Sequence, residues 1–69
     1  MPGEVLDRQA KFRYTFVRPI RTWTGAWEMQ FKDVTIYAYA WHDHEAQARA
    51  RLPWGWTGAR VHKLEVARI

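Results

Sequence analysis

The run His42-Asp43-His44-Glu45 is the only cluster in the chain with metal-ligand residue types. On a continuous strand the two histidines would point to one face, as a zinc site needs. Asp43, however, is a good helix N-cap, and Glu45 suits the positive end of a helix dipole. A helix that begins at Asp43 breaks the strand geometry. We therefore interpret Asp43 as a cap between two solvated histidines and expect no metal.

Side chains for nucleophilic or acid–base catalysis are also scarce. The chain has no cysteine and no serine, and its threonines have no evident base beside them. Carboxylates are paired only at Asp43 and Glu45, which serve the helix start. Gly55 and Gly58 precede a strand-like segment rather than a helix, so they do not form a phosphate-binding loop. We expect a protein that is not an enzyme and takes no cofactor.

The length and composition set the broad class. A chain of 69 residues makes one domain of marginal stability, and five Trp, three Tyr and three Phe supply large burial per residue. Without cysteine there is no disulfide framework, which fits a reducing compartment. No signal peptide or apolar run of about 18 residues is present. We expect a cytoplasmic protein of a host cell with no membrane partner.

The charge is basic and uneven. The net charge is +4, and between residues 8 and 32 the six basic side chains face only Glu28. A basic segment of this kind attracts nucleic acid, phosphates or anionic protein surfaces. It is equally compatible with a charge that serves solubility alone.

The alternation of polar and apolar residues predicts three strands in the first part of the chain. Residues 1–9 show no periodicity and are interpreted as a flexible leader to a single domain, 10–69. Residues 11–18 alternate until Pro19, which is expected to end the first strand. Residues 27–32 place their apolar side chains at odd positions, whereas residues 34–40 place them at even positions. The change at Lys32-Asp33 indicates a turn between two strands or a bulge in one, and we favour two strands.

A short helix and a last strand follow. Residues 44–52 are rich in helix formers and end before Pro53, and residues 59–69 have strand-like spacing with an irregularity near His62. Ala46 and Ala50 are the expected inner helix positions, with Leu52 or Ala48 beside them. The predicted fold is α+β: a four-stranded, mostly antiparallel sheet with one short helix on one face, in the order β-β-β-α-β.

Period-2 geometry gives the third strand two different faces. If its even-numbered apolar residues face the helix, Tyr37, Tyr39 and Trp41 lie on the other side. We expect these rings to form a binding surface with Lys11 and Arg13, extended by Arg18 and Arg21. Two alternatives remain open. One is a symmetric dimer through the aromatic face; the other is a second small core, in which three tryptophans fold over the rings: Trp23, Trp54 and Trp56.

The layout of residues 38–69 resembles that of many short phage and mobile-element proteins. It comprises Ala38-Tyr39-Ala40, the helical stretch Glu45 to Ala50, Leu52-Pro53 and a closing strand. Among such proteins the chain is similar in size and layout to small anti-CRISPR inhibitors, which occupy surfaces of a bacterial defence complex. That resemblance implies a steric, stoichiometric mechanism without catalytic residues. Other anti-CRISPR proteins are acidic DNA mimics, and a basic chain departs from that pattern.

Two functions use an aromatic face with basic residues around it. The first hypothesis is a small inhibitor or adaptor, monomeric or homodimeric, that blocks a larger protein or ribonucleoprotein complex. The alternative is a DNA- or RNA-binding module that stacks bases on the same rings.

Overall fold

The structure, a computed structural model, describes residues 9–68. These residues form three strands and one helix: β1 (Gln9–Arg21), β2 (Trp27–Tyr39), α1 (His44–Ala50) and β3 (Arg60–Arg68). The strands are antiparallel, and their order in the sheet is β2-β1-β3. The element order is β-β-α-β, so the predicted four-stranded sheet with the order β-β-β-α-β is wrong. Within residues 9–68, no helix is long and apolar enough to cross a membrane.

The extra strand was predicted because of the phase change at Lys32-Asp33, which is not a turn. β2 runs through both residues and pairs with β1 without interruption, from Trp27 opposite Arg21 to Tyr39 opposite Gln9. Neither residue is a glycine, which a two-residue hairpin turn favours. The phase change therefore moves the apolar side chains of β2 from one face of the sheet to the other. We call the face under the helix the inner face and the opposite one the outer face.

Pro19 lies inside β1, opposite Met29, and does not end the strand. Thr22 donates its N–H to the Ala26 carbonyl, so even-numbered residues of β1 bond to β2 and odd-numbered ones point toward β3. The pairing of β1 with β3 stops at Val17 and Arg60. A proline at position 19 therefore costs no ladder hydrogen bond. Beyond Val17 the hairpin continues as a two-stranded arm, and the molecule measures 57 × 18 × 13 Å.

The predicted leader, residues 1–9, falls almost wholly outside the described residues. Gln9 is the first residue of β1. Residues 1–8 and Ile69 are outside the range that the structure describes.

The helix packs on the inner face through one small residue. Asp43 is the N-cap and accepts the N–H of Ala46 at 3.1 Å, as the sequence predicts. Ala48 is fully buried and Leu52 packs against the core, as two of the predicted inner positions. Ala46 and Ala50 are exposed, so the prediction of these two as inner positions is wrong. The reason is the helix phase, because Ala48 lies one turn after His44 and both side chains face the sheet.

The core is a single cluster on the inner face. Tyr14, Phe16 and Ile36 are its largest fully buried side chains. It is built from β1, β2, the helix and the loop that follows it, and comprises Phe12, Tyr14, Phe16, Val34, Ile36, Ala38, Ala48, Trp56 and Ala59.

The loop between α1 and β3 is fastened to the arm by Arg18. The guanidinium lies 4.2 Å from the centroid of the buried Trp56 ring and donates to the Gly55 carbonyl at 2.6 Å. It also donates twice to the Gln30 side chain.

The predicted irregularity near His62 is present in β3. The β1–β3 register shifts between Thr15 and Phe16, and this shift leaves His62 as an extra residue.

Candidate functional site: the outer face of the sheet

α1 and the loop that follows it pack on the inner face, and the outer face carries the odd-numbered side chains of β1 and β2. Directly opposite residues on neighbouring strands share a face. The register therefore places Tyr37 beside Lys11 and Ala67, and Thr35 beside Arg13 and Glu65. No element among residues 9–68 covers this surface, and large apolar side chains on it stay exposed.

One end of the outer face is aromatic, and we call Tyr37, Tyr39 and Trp41 the Tyr37 patch. Tyr37 is 55% and Trp41 66% exposed. The Tyr39 and Trp41 rings stack at 5.8 Å with an angle of 11° between their planes. His42 packs edge-on against both rings. The Tyr39, Trp41 and His42 rings therefore hold one another in place, so this part of the patch is preorganised.

The centre of the outer face is ionic and internally neutralised. Arg13 and Lys63 each contact the Glu65 carboxylate at 2.7 Å. Hydrogen bonds from Lys63 and Arg13 hold the pKa of Glu65 below its ordinary value. Beside them, Thr15 donates to Asp33 at 2.7 Å. Two of the basic side chains at the centre thus face an acid rather than solvent alone.

The other end of the outer face is apolar, and we call Trp27, Met29 and Phe31 the Phe31 patch. Val17 lies opposite Phe31, and only 9% of its surface is exposed. The three side chains of the patch are 64%, 57% and 55% exposed, respectively. Arg21 lies over the Trp27 ring at 5.4 Å, and His62 meets the Phe31 ring edge-on at 5.0 Å.

The sequence interpretation missed the Phe31 patch as a surface. Residues 27–32 were predicted as a separate strand, so their side chains were not expected to share a face with Tyr37. The signal was present: Lys32-Asp33 lacks a turn glycine, and an unbroken strand must then expose one of its two apolar sets.

The structure brings together five of the seven predicted binding residues. Lys11, Arg13 and Tyr37 lie side by side on the outer face, Tyr39 is the last residue of β2, and Trp41 stacks on Tyr39 from the turn that follows. Arg18 is on the inner face, where the loop and Gln30 occupy its donors. Arg21 is on the outer face, but opposite Trp27, about 30 Å along β2 from Tyr37.

The alternative of a second small core, in which three tryptophans cover the aromatic face, does not agree with the structure. Trp23 is 97% and Trp54 99% exposed, so neither packs on the rings. Trp56 is buried, but in the core on the inner face, under Arg18.

The histidines are not the solvated pair that the sequence suggested. His44 is half-buried, stacks on Phe12 at 4.1 Å and is hydrogen-bonded to the Tyr14 hydroxyl. His42 packs on the Tyr37 patch. Among residues 9–68, no group of three or more His, Asp or Glu side chains is placed to hold a metal ion.

No protein-family model, curated protein or solved structure matches this chain.

Proposed function

We propose that the protein is a non-catalytic binding protein that docks on a larger protein assembly through the outer face of its sheet and blocks that surface sterically. The observation that supports this is the exposure of large apolar side chains at both ends of one uncovered face. Exposed apolar patches of this kind mark interaction sites. Both patches contain a Trp, the Tyr37 patch also contains two Tyr, and Arg21 lies over the Trp27 ring of the Phe31 patch; Trp, Tyr and Arg are the residue types that dominate interface hot spots.

The arrangement of charges favours a protein partner over a nucleic acid. A strand of nucleic acid stacked on the rings needs nearby cations for its phosphates. Arg13 and Lys63 instead share Glu65, and Arg18 is bound to the inner-face loop. The exposed aromatic and apolar side chains at the two ends offer a protein partner large apolar contacts, whereas the ion-paired centre leaves fewer cations for phosphates.

The proposed target class rests on the resemblance to small anti-CRISPR inhibitors. A stoichiometric inhibitor needs a rigid surface and no catalytic group, and the stacked rings of Tyr39 and Trp41 supply rigidity. Occlusion of a functional surface on a protein or ribonucleoprotein complex is the mechanism that such a surface supports. A target surface that is acidic or mixed in charge would complement Lys11 and Arg21.

A matched pair of tryptophan variants tests the proposal. Trp41→Ala removes a ring from the outer face, whereas Trp54→Ala removes a fully exposed ring from the loop on the helix side. The protein is used to isolate its partner from cells that make it, and the purified pair is then titrated calorimetrically. We expect Trp41→Ala, and Tyr37→Ala likewise, to weaken binding at least about tenfold, which corresponds to about 1.4 kcal/mol.

Trp54→Ala should leave the affinity within about twofold of the wild-type value. If Trp41→Ala and Trp54→Ala weakened the affinity for the partner equally, the outer face would not be the binding surface. A second titration uses short single- and double-stranded oligonucleotides at two salt concentrations. Tight binding that falls steeply with salt would show that the partner is a nucleic acid instead.

A further inference from the structure

β2 is an edge strand, and three contacts define which of its backbone groups face outward. Along an antiparallel strand the N–H and C=O of alternate residues point to opposite sides. Thr22 bonds to Ala26, so the even-numbered residues of β2 bond to β1. Thr35 and Tyr39, which are odd-numbered, bond instead to groups outside the sheet. The odd-numbered residues of β2 therefore direct their backbone groups to the free edge.

Part of that edge is capped by side chains. Arg51 donates to the Thr35 carbonyl at 3.5 Å. His42 accepts the Tyr39 N–H at 3.4 Å through Nδ1, and its own N–H donates to the Tyr39 carbonyl at 3.0 Å. Caps of this kind protect an edge from pairing. From Trp27 to Asp33, no group within residues 9–68 bonds to the outward backbone.

The uncapped stretch is complementary to itself. Its midpoint is Gln30, and an antiparallel pairing of two copies centred there brings Gln30 opposite Gln30. The same register sets Glu28 opposite Lys32 of the second copy, and Met29 opposite Phe31 of the second copy. Opposite charges and apolar pairs directly across strands are stabilising. Registers centred on Lys32 or Asp33 would instead place like charges opposite each other.

We propose that two copies of this chain pair through the β2 edge, centred on Gln30, to form one continuous six-stranded sheet. Two independent observations favour this register. The uncapped stretch from Trp27 to Asp33 has its midpoint at Gln30, and the same centre places Glu28 opposite Lys32 of the second copy. Met29 and Phe31 point to the outer face, so pairing joins the two Phe31 patches across the two-fold axis. The paired residues also have outward backbone groups, so they exchange main-chain hydrogen bonds.

This dimer does not depend on the proposed function, because it uses the strand edge rather than a partner of the outer face. The dimer doubles the area of the outer face. The two joined Phe31 patches form a central apolar strip, and one Tyr37 patch lies on each side of it. Two-fold pairing also covers the uncapped part of the β2 edge, which is an aggregation hazard in a single copy.

Sedimentation equilibrium over a concentration series tests the dimer, and a charge swap tests its register. Glu28→Lys and Lys32→Glu, made singly, each place like charges opposite across the two-fold axis. Each should weaken the dimer at least about tenfold. The double variant Glu28→Lys/Lys32→Glu restores opposite charges in the same register and should recover the wild-type dimer. Circular dichroism checks that each variant is folded.

A backbone change tests the edge itself, since a chain of 69 residues is accessible to chemical synthesis. N-methylation of Phe31 removes an outward N–H without altering a side chain, and should abolish the dimer. N-methylation of Tyr37, which also faces outward but lies beyond the paired stretch, is the matched control and should leave the dimer intact.

A protein that sediments as a monomer at every concentration up to the millimolar range would overturn the proposal. So would a dimer that survives N-methylation of Phe31, because it must use another surface. A dimer that the single charge reversals leave unchanged would overturn the register. None of these results bears on Trp41→Ala and Trp54→Ala in the partner titration, so the two proposals fail separately.

Discussion

The hydroxyl of Tyr14 is hydrogen-bonded to Nδ1 of His44, across the interface between sheet and helix. Tyr14 lies in the middle of β1, and His44 is the first residue of α1. The imidazole also stacks on Phe12 at 4.1 Å. A helix of seven residues does not hold together alone in water. This contact therefore helps to hold the helix on the sheet.

We expect Tyr14→Phe to lower the free energy of unfolding by about 1 kcal/mol at pH 7, because Nδ1 of His44 loses its partner. Urea unfolding followed by tryptophan fluorescence measures this loss. Phe16→Tyr is not a suitable control, since it would bury an unpaired hydroxyl. Tyr37→Phe removes a hydroxyl from an exposed ring and should be neutral.

The wild-type protein and Tyr14→Phe should differ in how their stability changes at alkaline pH. Burial raises the pKa of Tyr14, and the nearby Glu45 and Asp43 carboxylates add to the shift. Above pH of about 10 the unfolded chain therefore loses this proton before the folded one does, so stability falls as the pH rises. Wild-type stability should drop more than that of Tyr14→Phe between pH 9 and pH 11. Parallel curves would show that Tyr14 keeps an ordinary pKa.

Gly55 and Gly58 are a matched pair for testing the loop. Gly55 has a φ of 93°, and an added Cβ would lie 3.0 Å from Nη1 of Arg18. Gly55→Ala should therefore cost about 1–2 kcal/mol through backbone strain and displacement of the guanidinium. At Gly58 an added Cβ meets nothing within 4 Å, and Gly58→Ala should be close to neutral. Equal effects on the urea midpoint would contradict this description of the loop.

The side of the helix that faces the sheet can be tested with matched substitutions at Ala48 and Ala46. Ala48 is fully buried against the sheet, whereas Ala46 is exposed. Ala48→Leu should destabilise the fold by about 1–3 kcal/mol, because the added carbons have no space under the helix. Ala46→Leu should change stability by less than about 0.5 kcal/mol. If Ala46→Leu were the more damaging variant in thermal unfolding, the helix would face the sheet in the other phase.

Glu65 sets the charge at the centre of the outer face. Glu65→Gln leaves Arg13 and Lys63 without their carboxylate, so it should increase retention on a heparin column. Glu45→Gln changes the net charge equally but on the helix, and should shift the eluting salt concentration less. Identical elution of the two variants would show that polyanions do not contact the outer face.

Local patterns in the sequence predicted most of the elements but not the number of strands. The cap at Asp43, the irregularity near His62 and the inward position of Val34, Ile36 and Ala38 all follow from single-residue chemistry or period-2 spacing. The strand count failed at Lys32-Asp33. A change of apolar phase does not by itself distinguish a turn from a strand that is apolar on different faces along its length.

The remaining errors depend on tertiary context. Pro19 is tolerated because β3 begins at Arg60, opposite Val17, and so does not reach Pro19. No local pattern around Pro19 indicates this. Arg18 was assigned to the binding surface from its charge, but its donors bind a loop that is 37 residues away in the chain. The candidate site could be predicted at Tyr37 from alternation alone. The Phe31 patch required the true register of β2.

The most direct test of the outer face is site-specific photo-cross-linking in cells that make the protein. A benzophenone amino acid is placed at Tyr37 or Phe31 on the outer face, or at Trp54 on the helix side. We predict that Tyr37 and Phe31 cross-link the same protein of a larger assembly, and that Trp54 does not. Cross-links to that protein from Trp54 alone, or none from either outer-face position, would contradict the account.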